Sequence, residues 1–145
     1  MAPAVAKAPV ILVIDDDEKM RELVADILDA FGFRVISAAT SEEGLAIAIM
    51  QIPDLVLCDV ILPDALGFDT VKALNAHPAT SSVPCVLMTG YPYMKQYGAN
   101  EAAANGATQE FKLLLKPFSM NDIVDTVTQA LRSANLEVES PVHDF

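Results

Sequence analysis

Basic residues are scarce in this chain. Nine lysines and arginines stand against twenty aspartates and glutamates, a net charge of −11. They form no stripe, and phosphate contacts need clustered Lys and Arg, so direct binding of nucleic acid is not expected. Long apolar runs are missing as well. None approaches the roughly 20 residues of a membrane span. Residues 1–9, with two prolines and four alanines, lack the apolar centre of a signal peptide and read as a flexible leader. Only two cysteines occur, Cys58 and Cys85. Both fall inside predicted parallel strands, one near the carboxyl end and the other near the start. That offset argues against a disulfide and for free thiols in a reducing compartment such as the cytoplasm. No internal repeat divides the chain. At 145 residues, 52% of them apolar, it holds about one domain with a full core.

Short runs rich in Val, Ile and Leu alternate with amphipathic segments. Strands are predicted at 10–14, 33–37, 55–58, 83–88 and 111–115. The helix predicted over 18–31 places Met20, Leu23, Val24, Ile27 and Leu28 on one face, carries acids in its first turn, and stops at Gly32. Thr40 and Glu43 form a capping box for the next helix, whose buried side is Leu45, Ile47, Ala48 and Ile49, with Pro53 ending the segment. Further helices are predicted over 68–76, 93–104 and 119–133, the last capped by Ser119. The strands lack polar alternation, as expected where both sheet faces are covered. The pattern predicts a three-layer α/β domain over 10–133, with 134–145 as an acidic tail.

Three of the strands end on charge. Asp15 and Asp16 follow the first, Asp59 the third, and Lys116-Pro117 the fifth. The carboxyl ends of parallel strands share one edge of the sheet, where ligands bind. Three carboxylates and one ammonium should therefore converge there. Clustered carboxylates repel unless a cation sits among them, and oxygen-only ligands suit a hard ion such as Mg²⁺. Asp17 and Glu18 read as helix N-terminal charges. Asp54, Asp64 and Asp69 read as solvated or capping residues, and His77 and His143 as surface residues.

The segments ILVIDDD (11–17), DLVLCDVILPDALG (54–67), VLMTG (86–90) and KPF (116–118) resemble the receiver domain of bacterial two-component response regulators. The resemblance covers about residues 9–133. It implies a doubly wound five-stranded parallel sheet of order 2-1-3-4-5 with helices on both faces, the flavodoxin-like arrangement. It also implies a signalling module and not an enzyme, with intrinsic autophosphorylation and autodephosphorylation. Asp59 would take a phosphoryl group from a histidine kinase or histidine phosphotransfer protein, and the output would be binding to a downstream protein. Asp16 and Asp59 would ligate Mg²⁺, Asp15 would hold a metal-bound water, and the Ile61 carbonyl would complete the protein ligands. Thr89 and Lys116 would contact phosphoryl oxygens, Gly90 would leave the pocket open, and the bond before Pro117 would be cis.

Two features depart from the family pattern. An aromatic residue is usual three positions before the lysine, where this chain has Leu113. The interval from Thr89 to Lys116 is several residues longer than usual, with the surplus in 91–109. Two other readings compete. Asp15-x-Asp17, Thr89 and a later lysine also resemble haloacid-dehalogenase-like phosphatases, with Asp15 as nucleophile and Asp17 as general acid. That family needs a further acidic metal-binding motif after the lysine, where this chain has only a helix bearing Asp122 and Asp125. The third reading is a degenerate receiver serving as a scaffold, against which the complete set of phosphorylation residues argues.

Overall fold

A computed structural model describes residues 8–91 and 112–134. Five strands form one sheet: β1 (Val10–Ile14), β2 (Arg34–Ala38), β3 (Leu55–Asp59), β4 (Cys85–Thr89) and β5 (Lys112–Leu115). Every pairing is parallel and the order is β2-β1-β3-β4-β5, as expected. Four helices lie among the described residues: α1 (Glu18–Ala30), α2 (Ser41–Gln51), α3 (Gly67–Ala76) and α4 (Met120–Ala134). The helix predicted over 93–104, most of the leader and residues 135–145 lie outside the described residues.

Side chains of a strand alternate between faces, and the core divides accordingly. Ile11, Val13, Leu55, Leu57, Val86, Met88 and Leu114 pack on one face with Val24, Ile27 and Leu28 of α1 and Ile123, Val127 and Leu131 of α4. Leu12, Ile14, Val56, Cys58 and Leu87 pack on the other with Ala48 of α2 and Phe68, Val71 and Leu74 of α3. Burying a side chain of this size contributes about 1.5–3 kcal/mol. Continuously apolar strands are thus explained by two covered faces.

Local chemistry sets most boundaries. Asp17 caps α1 by accepting from Lys19 N and Met20 N at 3.0 and 3.3 Å. Gly32 ends it with φ +90, a conformation that costs glycine little, while Phe33 N donates to Leu28 O at 3.0 Å. Ser119 and Asp122 cap α4 reciprocally, at 3.0 and 2.9 Å. At α2, Glu43 N donates to Thr40 Oγ1 at 3.1 Å, but the Glu43 carboxylate reaches Ala39 N at 2.8 Å and not the Thr40 amide.

Several expectations need correction. Leu23 and Ile49 are 49% and 39% exposed, because the buried stripe of each helix is narrower than its apolar stripe. Gly44 is buried on α2, and a Cβ there would collide with the Ile14 side chain, so α2 lies against β1 at glycine distance. Strand β4 starts at Cys85, since Val83 N closes a turn on Thr80 O at 3.1 Å. Before Pro53, Ile52 ends α2 with φ 45, a left-handed conformation uncommon for a β-branched residue. As expected, both cysteines are free, and Cys85 pairs in register with Val56, two residues before Cys58.

Candidate functional site

The two-residue alternation continues past the strand ends. Asp15 follows the row of Ile11 and Val13, Asp59 that of Leu55 and Leu57, and Lys116 that of Leu114. Ile14 pairs with Cys58, which sets the next residues, Asp15 and Asp59, side by side on adjacent strands. Residues far apart in sequence thereby meet at the carboxyl edge. One carboxylate oxygen from each of Asp15, Asp16 and Asp59 lies within 4.8 Å of the others. Lys116 Nζ bridges two of them, 3.0 Å from Asp15 Oδ2 and 3.5 Å from Asp59 Oδ2.

The three acids differ in setting. Asp15 is fully buried, Asp59 half-buried and Asp16 exposed. Asp15 is tied on every side: its Oδ1 accepts from Asp17 N at 2.9 Å, its N donates to Ala38 O at 3.0 Å, and its carbonyl accepts from Arg21 Nη1 at 2.8 Å. Thr89 is buried at the end of β4, where its Oγ1 accepts from Tyr91 N at 3.1 Å and its carbonyl from Lys116 N at 2.7 Å. Among the described residues, a Cβ at Gly90 would meet nothing within 4 Å. The Lys116–Pro117 bond is cis, in line with the expectation.

The segment after Asp59 folds back on itself. Ile61 and Leu66 pair as an antiparallel bridge, and Ile61 N points at Asp59 Oδ1 at 3.5 Å. Gly67 closes the loop by donating from its N to Val60 O at 2.6 Å. A Cβ at Gly67 would collide with the Asp59 carbonyl oxygen, so α3 starts against the β3 end only because this residue has no side chain.

A family profile described as response regulator receiver domain matches residues 11–128. The chain belongs to the response regulator receiver family. Its sequence is 29% identical to the DNA-binding dual master transcriptional regulator RpaA of Synechocystis, over 93% of this chain and 54% of RpaA. It is 27% identical to the polar-differentiation response regulator DivK of Brucella ovis, over 86% of this chain and 97% of DivK. The high-resolution structure of the chemotaxis response regulator CheY4 of Vibrio cholerae is similar, with a TM-score of 0.72 at 30% identity, covering 85% of this chain and 98% of that one. The chain spans about half or less of the length of several curated relatives it matches, 54% of RpaA and 28% of the transcriptional regulator ZraR of Escherichia coli among them.

Electrostatics at the receiver site follow from burial and mutual charge. Burial raises the Asp59 carboxyl above its ordinary value; Lys116 opposes the rise and Asp15 adds to it. Burial would lower the Lys116 ammonium, but Asp59 and Asp15 outweigh it and leave the group raised. Among the described residues, one ammonium stands among three carboxylates, which leaves net negative charge in a partly desolvated edge. That donor set, all oxygen, fits a hard divalent cation such as Mg²⁺. Beneath Asp59, burial drives the Cys58 thiol far above the ordinary thiol range.

The sequence reading did not anticipate Arg21, which reaches Asp15 from α1. Nothing in its spacing signals that reach, which depends on how α1 leans on the sheet. Asp64, read only as solvated or capping, accepts from the first two amides of α2. Among the described residues, no helix is long and apolar enough to cross a membrane.

Proposed function

We propose that this receiver is a phosphoacceptor and that Asp59 is its nucleophile. The observation that supports this most directly is the meeting of Asp15, Asp16 and Asp59 within 4.8 Å around Lys116 at the sheet edge. One Asp59 carboxylate oxygen attacks phosphorus of a donor phosphohistidine. The new O–P bond forms as the P–N bond breaks, and the leaving imidazole takes up a proton. The product is an acyl phosphate on Asp59. Asp16, Asp59 and the Ile61 carbonyl would hold Mg²⁺, with Asp15 oriented toward its bound water. When bound, the ion supplies positive charge that offsets repulsion between phosphate and carboxylate.

Lys116 binds a phosphoryl oxygen as a compact point charge in place of its contact with Asp59. The Thr89 hydroxyl donates to a second oxygen, and Gly90 leaves room for the group. The donor is a histidine kinase or histidine phosphotransfer protein, and the acidic surface points to output through a protein and not through nucleic acid. The free thiols suit a reducing, cytoplasmic setting. Leu113 is half-buried on the α2/α3 side of the sheet. It has no ring to swing, so the signal is carried by displacement of backbone and not by an aromatic at this position.

The phosphatase reading fares worse. Asp15, its required nucleophile, is fully buried and bonded to Lys116, and Asp17, its required acid, is engaged in capping α1. The test is incubation with Mg²⁺ and acetyl phosphate, followed by intact mass and peptide mapping. One phosphoryl group is expected on Asp59 and none on Asp59→Asn, which keeps nearly the same shape but cannot attack. An adduct on Asp15, or full labelling of Asp59→Asn, would overturn the proposal.

A further inference from the structure

We infer that Asp64 is a positioning residue for the phosphoacceptor site, orienting the Ile61 carbonyl by anchoring its loop to α2. The inference rests on the phosphoacceptor reading and on Ile61 as a metal ligand. It concerns a residue five positions beyond Asp59 that touches neither the acids nor Lys116.

The root of the loop is held by the sheet: Val60 N donates to Met88 O at 2.9 Å, and Gly67 N to Val60 O at 2.6 Å. Within the loop, the Leu62 side chain is buried in the core on the α2/α3 side. Asp64 adds a polar tie to α2. Its Oδ1 accepts from Ser41 N and its Oδ2 from Glu42 N, both at 2.9 Å. These are the first two amides of α2, which have no partner within the helix. Asp64 therefore caps α2 from another segment, while Thr40 caps it from its own. Next to Asp64, the Ala65 carbonyl accepts from Leu62 N at 3.0 Å. The Leu62 N–H and the Ile61 C=O belong to one planar peptide unit, so whatever holds the first aims the second. The chain of contacts runs from the α2 amides through Asp64 and Ala65 to the Ile61 carbonyl. A second tie joins α2 to α3, the helix that follows the loop, where Ser41 Oγ and Thr70 Oγ1 lie 2.6 Å apart and buried.

A helix cap with no other role would affect stability alone. The two roles separate when α2 is weakened from its other side. Asp64→Ala cuts the tie of the loop to α2, whereas Thr40→Ala removes a cap of the same helix and leaves that tie intact. The experiment measures Mg²⁺ affinity of the unphosphorylated protein by calorimetry, with the melting temperature and the rate of labelling by acetyl phosphate alongside. Asp64→Ala is expected to weaken Mg²⁺ binding about tenfold, the low end for groups that orient a metal ligand. Asp64→Asn, which keeps one acceptor oxygen, should recover part of the loss. Thr40→Ala should lower the melting temperature while holding Mg²⁺ affinity within about twofold of wild type, since it leaves the loop anchor intact. Unchanged affinity in Asp64→Ala, or an equal loss in Thr40→Ala, overturns the inference. A wild-type chain that takes no phosphoryl group overturns the phosphoacceptor reading instead.

Discussion

Replacing Lys116 by methionine keeps the apolar stem of the side chain and deletes only the ammonium. The ammonium sits 3.0 Å from Asp15 and 3.5 Å from Asp59, with side-chain exposures of 19%, 1% and 16% respectively. At an effective dielectric constant of about 20, each contact is worth about 5 kcal/mol of Coulomb energy. Desolvation of the partners offsets much of that in the wild type, but it is not recovered when one partner is removed. Asp15 and Asp59 would then face each other, partly dry and unpaired. Breaking a buried pair in this way costs about 3–5 kcal/mol, so Lys116→Met should lose that much stability at neutral pH without added metal. The sign of the pH dependence follows from Asp59. Its carboxyl is raised above its ordinary 3.8 by burial, with Lys116 opposing and Asp15 adding. Without Lys116 it rises further. A native carboxyl raised above its unfolded value binds a proton that the unfolded chain has lost, so stability falls as pH rises through the native value. The deficit of Lys116→Met should shrink as pH is lowered toward the ordinary carboxylate range. Mg²⁺ should also stabilise the variant more than the wild type. Urea unfolding followed by far-ultraviolet circular dichroism, at neutral and acidic pH and with and without Mg²⁺, measures all three effects. A deficit below about 1 kcal/mol at neutral pH, or one that persists unchanged in acid, would refute the reasoning.

Mg²⁺ should raise the melting temperature of the wild type, by an amount equivalent to about 2.7 kcal/mol at a hundredfold excess over Kd, and Asp16→Ala should abolish most of that rise; an equal rise in both proteins rules out Asp16 as a ligand. Gly67→Ala should destabilise by about 3 kcal/mol, because its Cβ collides with the Asp59 backbone and crowds Leu87; it should also slow labelling by acetyl phosphate, and a neutral result would mean that the loop has slack. Burial pushes the Cys85 thiol up to about 12 and the Cys58 thiol higher still, so iodoacetamide at mildly alkaline pH should modify neither in the native protein and both in urea. Rapid native-state alkylation of Cys58 would show the strand below Asp59 to be open.

The parallel sheet and the three charged strand ends were legible from the sequence because both rest on one-dimensional patterns, whereas the strand order came only with the resemblance to receiver domains. Val10–Ile14 and Leu55–Cys58 are uniformly apolar, which needs two covered faces, and parallel strands bring their carboxyl ends to one edge wherever the helices lie. Helix caps at Thr40 and Ser119 were legible because a cap is a local contact, three or fewer residues in span, while Asp17, read as a helix N-terminal charge, proves to cap α1. What depends on packing was not legible. Leu23 and Ile49 have the same chemistry as their buried neighbours, and only the tilt of each helix on the sheet decides which of them meets water. Arg21 reaches Asp15 because of that same tilt. Asp64 was legible as a solvated or capping residue, but not which helix it caps, because its partners, Ser41 and Glu42, are more than twenty positions away. Sequence by itself determined which groups meet at the edge, since strand direction and the two-residue period dictate it. Tertiary structure decided which acid is buried and paired, which is open, and which distant helix steadies the loop between them, since those outcomes turn on packing distances that no spacing along the chain encodes.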